Sequence, residues 1–226
     1  TPCGTLFPYT TLFRSSSGSG TAIAAGYAVA AVGTETSGSI LSPSGKNSVV
    51  GLKPSIGLLS RNGIVPISQT LDTPGPMARS VLDAGILMEA MKGYDSFDPR
   101  SLRFTPTSIG SLIPTDISLT GKRLGVYREY LEKDSLYRDA TEKLREAGAE
   151  LVPLSLPADV HLEGFVTFLS AEMKRSLPAY LSQHPDAGFG SVGDIAAFNS
   201  ADSALRAPYG QQLFEGIVAN QTSDQD

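Results

Sequence analysis

Two serine-bearing segments, SSSGSG at residues 15–20 and GTETSGSI at residues 33–40, constrain this chain more than any other feature. Taken alone, the first has the composition of a flexible linker and the second that of a turn. A serine hydroxyl is a weak nucleophile and needs a neighbouring base. The two histidines, His161 and His184, lie far from both segments in sequence. The nucleophile elbow G-x-S-x-G is absent, and no serine has a lysine three positions on. A phosphate-binding loop fails because Gly45-Lys46 is followed by Asn47 and position 40 is Ile. A dinucleotide fingerprint fails because Gly18-Ser19-Gly20 runs into Thr21, Ala22 and Ile23. By elimination, the residues permit a serine–lysine type of chemistry.

Composition narrows the surroundings of that chemistry. With 226 residues and 41% apolar content, one large domain or two small ones can be buried. A net charge of −5 argues against a nucleic acid or an anionic membrane as partner, since no basic run exists to neutralise phosphates. The single cysteine, Cys3, excludes an intrachain disulfide and a cysteine-based zinc site. His161 and His184 lack a metal-ligand spacing and read as surface residues, so no metal is expected. No run of 18 apolar residues is present, hence no transmembrane helix is expected.

The opening stretch TPCGTLFPYTTLFRS does not have the plan of a signal peptide, and the chain reads as cytoplasmic rather than secreted. Beyond it, patterning alternates between helix and strand, giving an α/β class. A Gly/Ser loop at 15–20 leads to a small-residue helix at 21–27 and short strands at 28–32 and 48–52, the latter stopped by Lys53-Pro54. Ser80 and Asp83 open a helix closed by Gly93, with Val81, Leu82, Ile86, Leu87 and Ala90 as its apolar face. Met88 and Met91 read as packing residues. Residues 94–118 read as an ordered loop. A strand at 122–127, a helix at 134–147 with Leu136, Ala140, Leu144 and Ala147 on one face, and a strand at 149–154 predict parallel pairing across a helix. Helices are expected at 162–181 and 192–218, the second interrupted at Pro208.

Ser15 and Ser39 stand 24 positions apart (39 − 15), and VVGLKPSIGLLSRNGIVPISQTLDTPGPMARS follows at residues 49–80. In that order and spacing the chain resembles the amidase signature family, whose members act on carboxamides with a Ser-Ser-Lys triad. A linker would not be followed at such spacing by GLKPSIG and QTLDTPGPM. The resemblance is dense over residues 15–92 and looser beyond, in LTGKRLGVY, GAELV and DIAAFN. It leans toward the branch that includes peptide amidases. The implied fold is an α/β/α sandwich around a mixed twisted sheet, present here truncated at both ends. Residues 1–14 match nothing in the family, which has Gly-Gly where this chain has Phe13-Arg14, and read as a foreign segment ahead of a partial domain at 15–226.

The resemblance implies roles. Ser39 aligns with the nucleophile and Ser15 with the serine that relays its proton to the lysine. The backbone N–H groups of Thr36, Ser37, Gly38 and Ser39 match the oxyanion hole. The reaction implied is hydrolysis of an amide C–N bond in a small-molecule or peptide substrate, with no metal or organic cofactor. The family's lysine precedes the bridging serine by more residues than this chain has there, so the chain alone is expected to be inactive. Lys53 matches a structural lysine, Lys46 reads as a surface charge, and Asp72 as a tie in a turn beside prolines. Two other readings stay open: an amidotransferase-type glutaminase subunit, and a catalytically dead remnant.

Overall fold

The computed structural model describes residues 16–103, 118–155 and 163–222. In chain order the elements are α1 (Ser17–Ala24), β1 (Ala30–Glu35), α2 (Leu41–Lys46), β2 (Val50–Gly51), β3 (Thr73–Ala78) and α3 (Val81–Met91). Then come β4 (Arg123–Tyr127), α4 (Arg128–Lys133), α5 (Ser135–Glu146) and β5 (Glu150–Leu154). The last helices are α6 (Phe165–Leu181), α7 (Val192–Ser200), α8 (Ser203–Arg206) and α9 (Gln212–Ala219). The chain divides into two compact units, one from residues 1–110 with 164–226 and the other from residues 111–163.

In the first unit β3 is the centre of an antiparallel sheet ordered β1-β3-β2. Its sequence, TPGPMA, is a poor strand by propensity, yet every residue is buried. The register explains how it tolerates two prolines. The Pro76 carbonyl accepts from the Leu52 N–H at 3.0 Å, so position 76 turns its polar groups toward β2 and not toward β1. The missing proline donors therefore fall on the β2 side, where the ladder is only two residues long. On the other side β1 pairs with β3 along its full length, from Ala30↔Ala78 to Glu35↔Thr73. Gly75 is required by space: a Cβ there would sit 2.2 Å from the Leu52 carbonyl oxygen.

Helix α1 begins earlier than composition suggests, inside SSSGSG. Glycine and serine have low helix propensity, but tertiary bonds override it here. The Ser16 hydroxyl donates to the Thr34 carbonyl at 3.0 Å and accepts from the Thr34 N–H at 2.9 Å. The Ser19 hydroxyl donates to the Val32 carbonyl at 2.9 Å. Polar side chains at and within the start of the helix thus satisfy backbone groups of β1, and Ile23 is fully buried.

Helix α3 has the predicted start: the Ser80 hydroxyl accepts from the Asp83 N–H at 3.1 Å. Its buried face is not the predicted one. Ala84, Gly85 and Met88 are buried, whereas Val81, Leu82 and Ile86 are 66%, 52% and 58% exposed. The small residues let α3 lie close on β3, and bulk is turned outward. In the C-terminal stretch the break falls at Ala201-Asp202 and again before Gln212, on both sides of Pro208. Leu177, Leu181, Val192 and Ile217 form the core that joins α6, α7 and α9.

The second unit holds the parallel pair β4–β5, in register from Arg123↔Glu150 to Tyr127↔Leu154, with α5 as the crossover helix. That agrees with the strand–helix–strand reading. The face of α5 differs: Leu136 is 79% exposed and Thr141 is the buried residue. Among the described residues, no helix is long and apolar enough to cross a membrane.

Candidate active site

The antiparallel register builds the site. One step beyond the Glu35↔Thr73 pair, Thr36 comes opposite Asp72, and its hydroxyl donates to the Asp72 carboxylate. The chain then turns through residues 36–39 into α2. At the far end of the turn, the Glu35 carboxylate accepts from the N–H groups of Ile40 at 2.7 Å and Leu41 at 2.9 Å. These are orphan donors at the start of α2, so Glu35 acts as a cap reaching forward from the strand. The loop is held at both ends.

Between those ties, Gly38 adopts φ +78, a left-handed conformation that glycine takes without strain. Open space surrounds the position of its absent Cβ, so the conformation, not crowding, calls for glycine. The N–H groups of Ser37 and Gly38 have no acceptor among the described residues. Ser39 follows directly, is 1% exposed, and lies just ahead of α2. Ser15 lies outside the described residues, as does the foreign segment assigned to 1–14.

Two buried carboxylates stand behind the loop. Asp72 accepts from the N–H groups of Ile67 at 2.9 Å and Ser68 at 2.8 Å, besides the Thr36 hydroxyl. Burial pushes its carboxyl above the usual range, against the pull of those donors. Glu172, on α6, accepts from the Ser68 hydroxyl at 2.7 Å and from the Thr70 N–H at 3.1 Å. Burial pushes it up, but the bonds from Ser68, Thr70 and Arg175 outweigh that and hold it low. The structural reading of Asp72 agrees with this geometry. Glu35 and Glu172 carry no signal in the sequence. Glu35 caps from inside a strand, five positions before its first donor, and Glu172 reaches Ser68 across 104 positions.

A cavity of about 290 Å³ opens in the same unit, lined by Arg61, Asn62, Ser68, Asp72, Asp98 and Tyr180 among others. It includes Asp72 but not Ser39. Lys46 and Lys53 are exposed, and His184 is exposed beside Tyr180, while His161 lies outside the described residues. No group of three potential metal ligands occurs among the described residues.

The family model Amidase matches residues 14–223. The chain belongs to the Amidase family. A protein of Arabidopsis thaliana named a probable amidase is 38% identical over 220 residues, which is 92% of this chain and 42% of that protein. The first-lettered subunit of the glutamyl-tRNA(Gln) amidotransferase of Rhizorhabdus wittichii is 40% identical over 173 residues, 74% of this chain and 34% of that one. The native peptide amidase of Stenotrophomonas maltophilia superposes with a TM-score of 0.83 at 40% identity, over 94% of this chain and 45% of that chain. The fold is therefore the α/β fold of amidase-signature proteins, and this chain spans less than half the length of the relatives it matches.

Proposed function

We propose that this chain carries the nucleophile segment of an amide C–N bond hydrolase, with Ser39 as nucleophile and Ser15 as the serine that relays its proton. One observation carries the reading. The 36–39 loop is clamped by carboxylates at both ends and bends through a left-handed Gly38, and its Ser37 and Gly38 N–H groups have no acceptor among the described residues. Such donors suit the oxygen of a tetrahedral intermediate, and one of them can be worth roughly 100- to 1000-fold in rate. Ser39 Oγ attacks the acyl carbon, the C–N bond breaks, and the nitrogen leaves as ammonia or an amine with the relayed proton. Water then hydrolyses the acyl-enzyme to the carboxylate. The likeness to the Stenotrophomonas peptide amidase over 94% of the chain supports peptide or small-molecule amides as substrates.

By the family resemblance the proton passes to a lysine that precedes the bridging serine, whereas Lys46 and Lys53 follow it and are exposed. The 226 residues alone then give no turnover, and a longer chain reading upstream through that lysine does. The test is ammonia release from C-terminal peptide amides by both chains, each against Ser39→Ala. Turnover in the longer chain that survives Ser39→Ala would overturn the reading. The amidotransferase likeness favours a second reading, a glutaminase subunit. Glutamine hydrolysis that requires a second protein chain would select it.

A further inference from the structure

We propose that Asp72 and Glu172 are positioning residues that aim the 36–39 loop from behind, joined through Ser68; this rests on reading that loop as the oxyanion hole. The path is continuous and each hop runs from a donor to an acceptor. Thr36 donates its hydroxyl to one Asp72 oxygen. The other Asp72 oxygen accepts from the Ser68 N–H at 2.8 Å, and the Ser68 hydroxyl donates to Glu172 at 2.7 Å. Ser68 is fully buried, and Asp72 and Glu172 are each 7% exposed. The Ser68 oxygen also accepts from the N–H groups of Thr70 at 3.2 Å and Leu71 at 3.1 Å, which fixes its rotamer. Arg175 holds the remaining Glu172 oxygen at 2.6 Å.

Two buried carboxylates are costly unless their lone pairs are filled, and a one-sided loss leaves a charge unpaired. The same turn could be made with neutral side chains. What the acids add is direction: charge-assisted bonds are short and geometrically demanding, so they hold Thr36 at one place. The next two N–H groups in the chain are those of Ser37 and Gly38, and Gly38 would otherwise be free to swing. Displacement by about 1 Å at such donors can cost about 100-fold in rate. Helix α6, from the C-terminal stretch, thereby sets the aim of a loop near residue 37.

The test has two arms. In the 226-residue chain, backbone ¹⁵N relaxation should give order parameters near 0.85 for Ser37 and Gly38, falling below about 0.6 in Thr36→Val and Asp72→Ala. Glu172→Ala should lower them in part, and Glu172→Gln, which keeps an acceptor for Ser68, should recover most of the order. Lys174→Met, on the same helix but outside the path, should change nothing at residues 36–38. In the longer, turnover-competent chain, Thr36→Val and Glu172→Ala should lower kcat by about 10- to 100-fold with KM within about twofold. Unchanged order at 37–38 in Thr36→Val, or equal losses in Glu172→Gln and Glu172→Ala, would overturn the inference. Retained turnover in Ser39→Ala would instead sink the amidase reading and leave the first arm standing.

Discussion

At the scale of single residues, the strongest electrostatic feature is the Arg61–Asp98 pair. Arg61 reaches Asp98 through both its Nε at 3.0 Å and a terminal nitrogen at 2.5 Å, and its backbone N–H adds a third bond at 2.9 Å. The Arg61 guanidinium holds the Asp98 carboxyl down from its ordinary 3.8 to about 2. A depressed carboxylate contributes stability above its unfolded value and loses it as pH falls through the folded one. The pair should therefore be fully stabilising above about pH 4 and fade toward about pH 2. Asp98→Asn should cost about 2–3 kcal/mol at pH 7, because Arg61 loses its charged partner and keeps only the Gln69 carbonyl. In urea titrations the gap between mutant and parent should narrow as pH falls from about 4 to about 2. A gap that stays constant over that range would contradict the assignment.

Among elements, α3 shows most clearly how patterning and packing part ways. The helix is apolar on two sides, so periodicity alone finds a face without saying which one is turned inward. Ala84 and Gly85 go inward because small residues allow close approach to β3. Met88→Ala should then cost about 2–5 kcal/mol, as for a buried side chain that leaves a cavity. Leu82→Gln and Ile86→Gln should each stay within about 0.5 kcal/mol of the parent. Denaturant midpoints decide it, and the reverse order would restore the face expected from the sequence. The same lesson applies to β3. TPGPMA carries the marks of a turn, and only its partners, β1 on one side and a two-residue β2 on the other, let prolines sit in a central strand.

At the scale of the whole molecule, the two units differ in how much they bury. All six residues of β3 are buried, whereas β4 and β5 together bury only Val126 among the described residues. A two-stranded pair with so little covered surface is marginal by itself. Amide exchange in β4 and β5 should run at least about 10-fold faster than in β3, by local opening that leaves the first unit intact. Equal protection across both sheets would show a single cooperative unit instead.

What the sequence determined by itself was local and covalent in origin: the α/β alternation, the Ser80 cap, the β4–α5–β5 unit, and the serine-bearing motifs that resemble the family. These follow from periodicity, from capping chemistry and from short motifs, all of which act within a few residues or at set intervals. Tertiary structure alone decided the rest. Ser16 and Ser19 spend their hydroxyls on β1, which turns a linker-like hexapeptide into the start of a helix. Thr36 meets Asp72 because the β1–β3 register carries one step further, and Glu172 arrives from α6 through Ser68. The physical reason is common to these cases. A buried polar group must find a partner wherever the fold brings one, and that partner is set by register and packing rather than by distance along the chain.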